Sequence, residues 1–134
     1  MKDSNNNSAA IDDILNGRCR DKHTCPVKDI MASYTDKWSL YALLLLGQKK
    51  KLRFNQLRSL VNGISQRMLT VTLRSLEKDG LVARYICPEL PQKVEYSLTA
   101  LGQSLLQQLL ALATWAKDNV ETIMKARTKF ERSL

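Results

Sequence analysis

Five side chains between residues 66 and 74 have the types and the spacing needed to contact nucleic acid. They combine an amide, two guanidinium groups, a hydroxyl and a methyl-bearing side chain: Gln66, Arg67, Thr70, Val71 and Arg74. Such polar groups reach the base edges and phosphates of a DNA major groove. At helical spacing they share one face, and the opposite face carries a buried stripe of leucines: Leu69, Leu73 and Leu76. The pattern is typical of a helix that reads DNA.

The ends of this helix are also indicated by the sequence. Ser65 is a good N-cap and is included among the candidate DNA contacts. Gly80 can adopt the left-handed conformation that ends a helix. A shorter helix is predicted just before it, from about Phe54 to Leu60, broken by Asn62-Gly63. A helix that follows a shorter one across a tight turn is the reading half of a helix-turn-helix.

The charge distribution supports this placement. The chain carries a net charge of +8, and residues 49–84 hold nine basic residues against two acidic ones. A basic footprint of this kind displaces counterions from a phosphate backbone, although a solvated basic face gives the same pattern. The predicted phosphate contacts are Lys49, Lys50, Lys51, Arg53 and Lys93.

The rest of the chain predicts the elements that position this helix. Pro26 fits the first position of a helix ending near Tyr34. Asp36 caps a helix that runs from Lys37 to Leu46 and is ended by Gly47. Two β-rich runs then form a hairpin, or wing, with Pro88 and Pro91 between them: Leu81 to Ile86 and Lys93 to Leu98.

Thr99 caps a long final helix that reaches about Ala126. Its apolar arc is wider than packing on one small domain requires. One stripe is Leu101, Leu105, Leu109, Leu112, Ala116 and Ile123, and the other is Leu106, Leu110, Ala113, Val120 and Met124, with Trp115 at the edge. We expect the first to cover the domain and the second to pack on another subunit, which predicts a homodimer. Deep burial in its own core is the alternative.

These elements predict an α+β, mainly α fold: a winged helix-turn-helix with a long C-terminal dimerisation helix. Residues 1–24 are expected to form an N-terminal tail and short flexible segment, disordered to about Ala10. Residues 25–128 form the DNA-binding domain with its dimerisation helix, and residues 129–134 form a C-terminal tail.

Composition narrows the class of protein. A chain of 134 residues is expected to form one domain. No apolar run approaches the ~20 residues that span a bilayer, and no signal peptide opens the chain. We therefore expect a cytoplasmic, nucleoid-associated protein with reduced cysteines. No phosphate loop, Cys-x-x-Cys pair or carboxylate cluster is present, so we predict neither an enzyme nor a cofactor.

With these positions placed, the chain resembles the HxlR-type family of bacterial winged-helix transcriptional regulators. The similarity runs from Cys25 to about Trp115, and its order and spacing are specific. The motifs that carry it are Cys25-Pro26-Val27, Asp36-Lys37-Trp38, Arg53-Phe54-Asn55, Gly63-Ile64-Ser65-Gln66-Arg67-Met68-Leu69-Thr70, Leu76-Glu77-Lys78-Asp79-Gly80-Leu81-Val82, Val94-Glu95-Tyr96-Ser97-Leu98-Thr99 and Leu101-Gly102. Val71 departs from the family, which often has a polar residue at that position.

The resemblance implies a role for Cys25, because members of the family often use this cysteine to sense oxidants or reactive electrophiles. A thiol at a helix N-terminus faces the positive end of the helix dipole, which favours the thiolate. Cys19 is the expected disulfide partner. The alternatives are an inert packing thiol and metal ligation by Cys19, His23 and Cys25, a spacing that lacks a fourth ligand. Cys87 is expected to pack at the end of the first wing strand.

Two classes of function remain at this stage. The first is a regulator that binds double-stranded DNA, with or without control by an oxidant or electrophile. The second is a winged-helix protein-interaction module without specific DNA binding. That module predicts an apolar or acidic exposed face on the helix after Ser65, whereas the sequence offers polar and cationic side chains. The sequence favours DNA.

Overall fold

Helices build most of the chain in the computed structural model, which describes residues 2–16 and 27–134. The helices are α1 (Lys2–Leu15), α2 (Val27–Tyr34), α3 (Lys37–Lys49), α4 (Phe54–Leu60), α5 (Gln66–Lys78), α6 (Ala100–Asp118) and α7 (Val120–Ser133). The strands are β1 (Leu52–Arg53), β2 (Val82–Cys87) and β3 (Lys93–Leu98). This confirms the predicted α+β, mainly α fold.

Three predicted helix starts are confirmed by their capping hydrogen bonds. The Ser65 hydroxyl accepts from the Met68 N–H at 3.1 Å and begins α5. The Asp36 carboxylate accepts from the Ser39 N–H at 2.9 Å and begins α3. The Thr99 hydroxyl accepts from the Gly102 N–H at 3.0 Å and begins α6. Each cap satisfies a backbone donor that the helix itself leaves unpaired.

The wing belongs to a three-stranded antiparallel sheet in the order β1-β3-β2. The hairpin was predicted, but the two-residue strand β1 was not. It pairs with the middle of β3, where Leu52 lies opposite Tyr96 and Arg53 lies opposite Glu95. Because β1 immediately precedes α4, this pairing fastens the helix-turn-helix to the wing.

The core lies between α3, α5, the sheet and the first half of α6. The predicted stripe of α5 is buried, with Leu69, Leu73 and Leu76 at most 1% exposed. Gly102 lets α6 approach the chain after α5, because a Cβ there would overlap the Leu81 carbonyl oxygen. Gly80 has φ +74°, the left-handed conformation predicted for it at the end of α5.

The prediction that Gly47 ends α3 is wrong. The helix continues to Lys49, and the backbone leaves it at Lys50, which has φ 69°. Gly47 lies inside the helix, where a Cβ would overlap the side chain of Leu106. The glycine therefore serves the close packing of α3 against α6 rather than a turn.

Both ends of the chain are more helical than the sequence predicted. The expected disordered segment to Ala10 is instead part of α1, and the expected tail at 129–134 is helical to Ser133. The helix α1 contacts α2, and its apolar side chains at Ile11, Ile14 and Leu15 are exposed. The side chains described in α1 are all exposed, so burial within this chain does not account for the helix.

The long final helix is divided at Asn119. This residue has φ −112° and ψ 7°, and its side-chain amide donates to the Trp115 carbonyl at 2.8 Å. A local side chain that bonds the backbone competes with the helical ladder. The result is two helices, α6 and α7, where the sequence predicted one.

The two apolar stripes of this helix are also distributed differently from the prediction. Leu106, assigned to the partner-facing stripe, is only 7% exposed and lies in the subunit's own core. Leu101, assigned to the core, is 57% exposed. The buried residues of α6 are Gly102, Leu106 and Leu109. Leu106 is among them because it packs against Gly47 of α3.

Beyond Leu109 no residue is buried, and residues 110–134 are here named the C-terminal arm. The arm keeps seven large apolar side chains at least 43% exposed: Leu110, Leu112, Trp115, Val120, Met124, Phe130 and Leu134.

Candidate DNA-binding surface

The recognition helix α5 presents its polar face to solvent, as predicted. Gln66, Arg67 and Arg74 are exposed, and Val71 is 55% exposed. The leucines behind them are fixed in the core. A rigid helix with an exposed amide and two exposed guanidinium groups has the donors that base edges accept.

Two predicted contacts have hydroxyl groups that already make hydrogen bonds. Ser65 accepts from the Met68 N–H, so its oxygen sets the start of α5. Thr70 is half-buried and donates to the Gln66 carbonyl at 2.9 Å. With that proton engaged, the Thr70 hydroxyl can still accept a hydrogen bond from a ligand. Ser65 therefore fixes the start of the helix, and Thr70 offers an acceptor in its first turns.

A groove of about 670 Å³ separates α5 from the wing. Three of the predicted residues line it, namely Gln66, Thr70 and Arg74. The other lining residues are Phe54, Glu77, Lys78, Arg84, Val94 and Tyr96. We call this feature the α5–wing groove. Three cationic side chains against one carboxylate give it a positive balance suited to a phosphate strand.

Arg67 and Val71 do not line this groove and stand on the more open part of the helix surface. The structure therefore divides the five predicted side chains of α5 into two sets. One set lines the α5–wing groove, and the other lies outside it.

Two cations of the α5–wing groove, Lys78 and Arg84, were absent from the predicted contacts. A signal for each was present in the sequence. Lys78 lies four residues after Arg74, one helical turn further on. Arg84 lies two residues after the buried Val82, so strand alternation puts both on the side of the sheet that faces α5.

The basic residues predicted to meet phosphates are spread more widely. Lys51 and Arg53 line a separate cavity of about 190 Å³ that also holds Glu95. Arg53 stands opposite Glu95 in the strand register, and its backbone N–H donates to Gln56 at 2.9 Å. An acidic neighbour lowers the positive potential available to DNA at that point.

Three other predicted cations lie outside both cavities. Lys49 and Lys50 are exposed at the end of α3. Lys93 is exposed at the tip end of β3, opposite Cys87. Gln66, Thr70 and Arg74 of α5 therefore line a groove beside the wing, whereas these three lysines lie outside it.

The predicted redox residues Cys19 and Cys25 lie outside the described residues, as does His23. Cys87 is half-buried as a free thiol at the end of β2. Within residues 2–16 and 27–134, no group of three potential metal ligands comes together. Over the same described part, no helix has the length and apolar character needed to cross a membrane.

Comparison with known proteins gives a family assignment over most of the described chain. The family model described as HxlR-like helix-turn-helix matches residues 34–124. The uncharacterized HTH-type transcriptional regulator YtfH of Escherichia coli is 35% identical over 103 residues, which cover 77% of this chain and 81% of YtfH. The corresponding YdeP of Bacillus subtilis is 41% identical over 106 residues, covering 77% and 82%.

Solved structures agree with this assignment. The redox regulator HypR in its reduced form superposes with a TM-score of 0.68 and 36% identity, over 75% of this chain and 98% of HypR. Diamide-treated YodB of B. subtilis gives a TM-score of 0.62 and 27% identity, over 75% and 94%. Both similarities extend over nearly the whole length of the compared chain.

Proposed function

Because the chain belongs to the HxlR-like helix-turn-helix family of transcriptional regulators, we propose that it binds a palindromic operator as a homodimer. The observation that carries the proposal is α5, a capped helix whose leucine side is buried and whose Gln66, Arg67 and Arg74 are exposed. A protein-interaction module would favour an apolar or acidic surface there.

In this proposal α5 lies in the major groove and contacts base edges. Arg67 is the principal base-reading residue, because it stands clear of the wing and a guanidinium can bond a guanine bidentately. Gln66 has the amide that suits adenine, and Thr70 and Val71 add an acceptor and an apolar contact. Ser65 holds the first turn of the helix in place.

The part of the α5–wing groove that lies beyond Gln66 and Thr70 then receives the sugar–phosphate backbone. Arg74 contributes from α5, together with the two cations added by the structure, Lys78 and Arg84. The predicted phosphate contacts Lys49, Lys50, Lys51, Arg53 and Lys93 supply a wider field that attracts DNA without reading its sequence. Among these, Arg53 is the weakest because it stands opposite Glu95.

The homodimer is supported by exposed apolar surface on the C-terminal arm and on α2. The C-terminal arm leaves seven large apolar side chains exposed, and no residue of α7 is buried. On α2, Ile30 and Met31 are also exposed. Apolar surface of this extent marks an interaction site. A second copy would cover it and place two recognition helices about 34 Å apart, one turn of DNA.

Control by Cys25 is the second part of the proposal. The similar protein HypR, which is named a redox regulator, is known in a reduced and an oxidised form. The similar protein YodB is known in a reduced and a diamide-treated form. In this chain two thiols, Cys25 and Cys19, would lose two protons and two electrons to an oxidant such as diamide and form a disulfide. An electrophile would instead alkylate the Cys25 thiolate.

The position of Cys25 suggests how the change reaches DNA. It lies two residues before α2, whose exposed Ile30 and Met31 belong to the apolar surface assigned to the dimer. A cross-link or added bulk there would alter the distance between recognition helices, while the spacing of DNA half-sites is fixed.

Selection of bound duplexes from a random DNA pool tests the function. We expect enrichment of a palindrome with half-sites one helical turn apart. Enrichment of no sequence by folded, reduced protein would contradict the proposal. A variant carrying Arg67→Ala and Arg74→Ala serves as the control and should lose the enriched motif.

Titration of the selected operator, before and after diamide, tests the switch. Wild type is expected to change its affinity, and Cys25→Ser is expected not to. Equal binding by wild type in both states would make Cys25 a packing residue. A response that persists in Cys25→Ser would move the sensor to Cys19 or Cys87.

We expect a cytoplasmic protein with the nucleoid as its site of action.

A further inference from the structure

A cavity of about 470 Å³ lies between α3 and the turn that joins α4 to α5. It shares no lining residue with the α5–wing groove. Its wall is mostly apolar, formed by Leu44, Leu45, Leu60, Val61 and the ring of Tyr41. The volume of this cavity is in the range of pockets that hold small organic molecules, and its mostly apolar wall with a few polar groups is typical of them.

The polar groups at this cavity select the charge of an occupant. Lys37 supplies the one cation and Asn62 the one amide, and the lining includes no carboxylate. The Lys37 ammonium lies 4.7 Å from the centroid of the Trp38 ring and 6.0 Å from that of Tyr41. These cation–π contacts hold the charge beside the cavity without neutralising it.

The nearest acidic side chain along the chain, that of Asp36, does not line the cavity and instead caps α3. The Asp36 carboxylate accepts from the Ser39 N–H at 2.9 Å and from the Ser39 hydroxyl at 2.8 Å. Lys37 is the first residue of α3, where the positive end of the helix dipole adds to its charge. The mouth of the cavity is therefore suited to an anion.

We propose that this cavity is a binding site for a small aromatic carboxylate. The ring would lie against Tyr41 and the leucines, and the carboxylate would meet Lys37 and accept from the Asn62 amide. A second copy's α7 fits the site less well. Its charged residues are mainly basic and would bring like charge toward Lys37: Glu121, Lys125, Arg127, Lys129, Glu131 and Arg132.

An occupant would contact the helix-turn-helix turn directly. Val61 and Asn62 belong to the wall, and the Ile64 N–H donates to the Val61 carbonyl at 3.4 Å, just before the Ser65 cap. Filling the cavity would thus bias the start of α5. This consequence for operator affinity rests on the proposed function, whereas the binding site itself does not.

Tryptophan emission gives a local measurement of binding. Trp38 packs edge-on against Tyr41 with ring centroids 6.4 Å apart, and the other tryptophan is Trp115 on the arm. In a Trp115→Phe protein, benzoate should change the Trp38 emission saturably, with a dissociation constant on the order of millimolar for so small a ligand. Benzamide, its uncharged counterpart, should bind more weakly.

Matched variants identify the site. Lys37→Gln should weaken benzoate binding about fivefold and leave benzamide unchanged, while Lys117→Gln on α6 removes the same charge elsewhere and should change neither. Leu60→Glu replaces a half-exposed side chain and should repel benzoate by like charge. Circular dichroism shows whether each variant is folded. If Lys37→Gln does not fold, Leu60→Glu alone tests whether benzoate binds at this cavity.

Three results would overturn the site. The first is no saturable change of emission with benzoate, and the second is a benzoate affinity in Lys37→Gln and Leu60→Glu equal to that of the parent protein. The third is displacement of benzoate when the protein self-associates. The last would assign the cavity to a second copy. Saturable binding of benzoate by a protein that fails to bind any operator would support the site and contradict the proposed function instead.

Discussion

The recognition helix and the C-terminal arm use similar leucine-rich patterns with opposite outcomes. In α5 the three leucines of the stripe are at most 1% exposed, and the polar face is presented to solvent. In the arm Leu112 and Trp115 are 60% and 57% exposed. Helical apolar spacing predicts a buried face in both cases. What differs is whether the single chain supplies the surface that covers it.

The difference assigns separate tasks to the two regions. The core of one subunit is enough to hold α5 rigidly, which suits the proposed reading of bases by its side chains. The arm leaves its apolar surface available to a second chain. We infer that stability within the subunit and assembly between subunits are encoded at opposite ends of α6, with Leu109 as the last core residue.

The largest effect is expected from a charge placed in the arm. Leu110→Asp should convert the proposed homodimer to a monomer, because an unpaired carboxylate would have to be buried in the proposed interface. Loss of the paired recognition helices should lower operator affinity about a hundredfold or more. Sedimentation and operator titration measure the two effects.

The matched control for this change is Gln107→Asp, which adds the same side chain at an exposed polar position of α6. It should remain dimeric and bind normally. A Leu110→Asp protein that stays dimeric, or a wild type that sediments as a monomer at micromolar concentration, would contradict the role given to the arm.

A smaller loss is expected on the recognition helix. Arg67→Ala should weaken operator binding by about 1–3 kcal/mol and relax the base preference at one position. The unfolding free energy should hardly change, because the side chain is exposed. Competition binding with operator variants measures the preference. Arg127→Ala, in the arm, is the control, and unchanged specificity in Arg67→Ala would remove this residue from base reading.

The cap of α5 can be tested separately from its reading face. Ser65→Ala should lower the unfolding free energy by about 1 kcal/mol, since the Met68 N–H loses its acceptor. Denaturant unfolding measures this effect, and Ser65→Asp should restore much of the loss. Wild-type stability in Ser65→Ala would show that the hydrogen bond does not hold the helix start.

The smallest effect is expected in the α5–wing groove. Arg84→Ala should lower affinity equally for all DNA sequences and reduce the slope of log affinity against log salt by about one unit. Arg53→Ala should change the slope less, because Glu95 lies opposite it. A change of base preference in Arg84→Ala, with the slope intact, would contradict a phosphate contact.

The sequence was sufficient for features that depend on neighbouring residues. The caps at Asp36, Ser65 and Thr99 and the left-handed Gly80 each require one residue type at one local position, so they were predicted correctly. The wing was predicted for a similar reason. Its two β-rich runs flank a segment that contains two prolines, Pro88 and Pro91.

Features that depend on distant partners were missed. The assignment of Leu106 to the core follows from the absence of a Cβ at Gly47, about sixty residues earlier in the chain. The strand β1 has two residues, too few for a periodic pattern, and exists because β3 offers an edge. Arg84 enters the α5–wing groove only when the sheet packs beside α5.

The most direct test of the central claim is the stoichiometry and footprint of the complex on the selected operator. Sedimentation with a labelled duplex, combined with hydroxyl-radical footprinting, should give two chains per palindrome. Two protected segments should then lie about 34 Å apart on the same face of the DNA. One chain bound per duplex with a single protected segment, at saturating protein, would contradict the account.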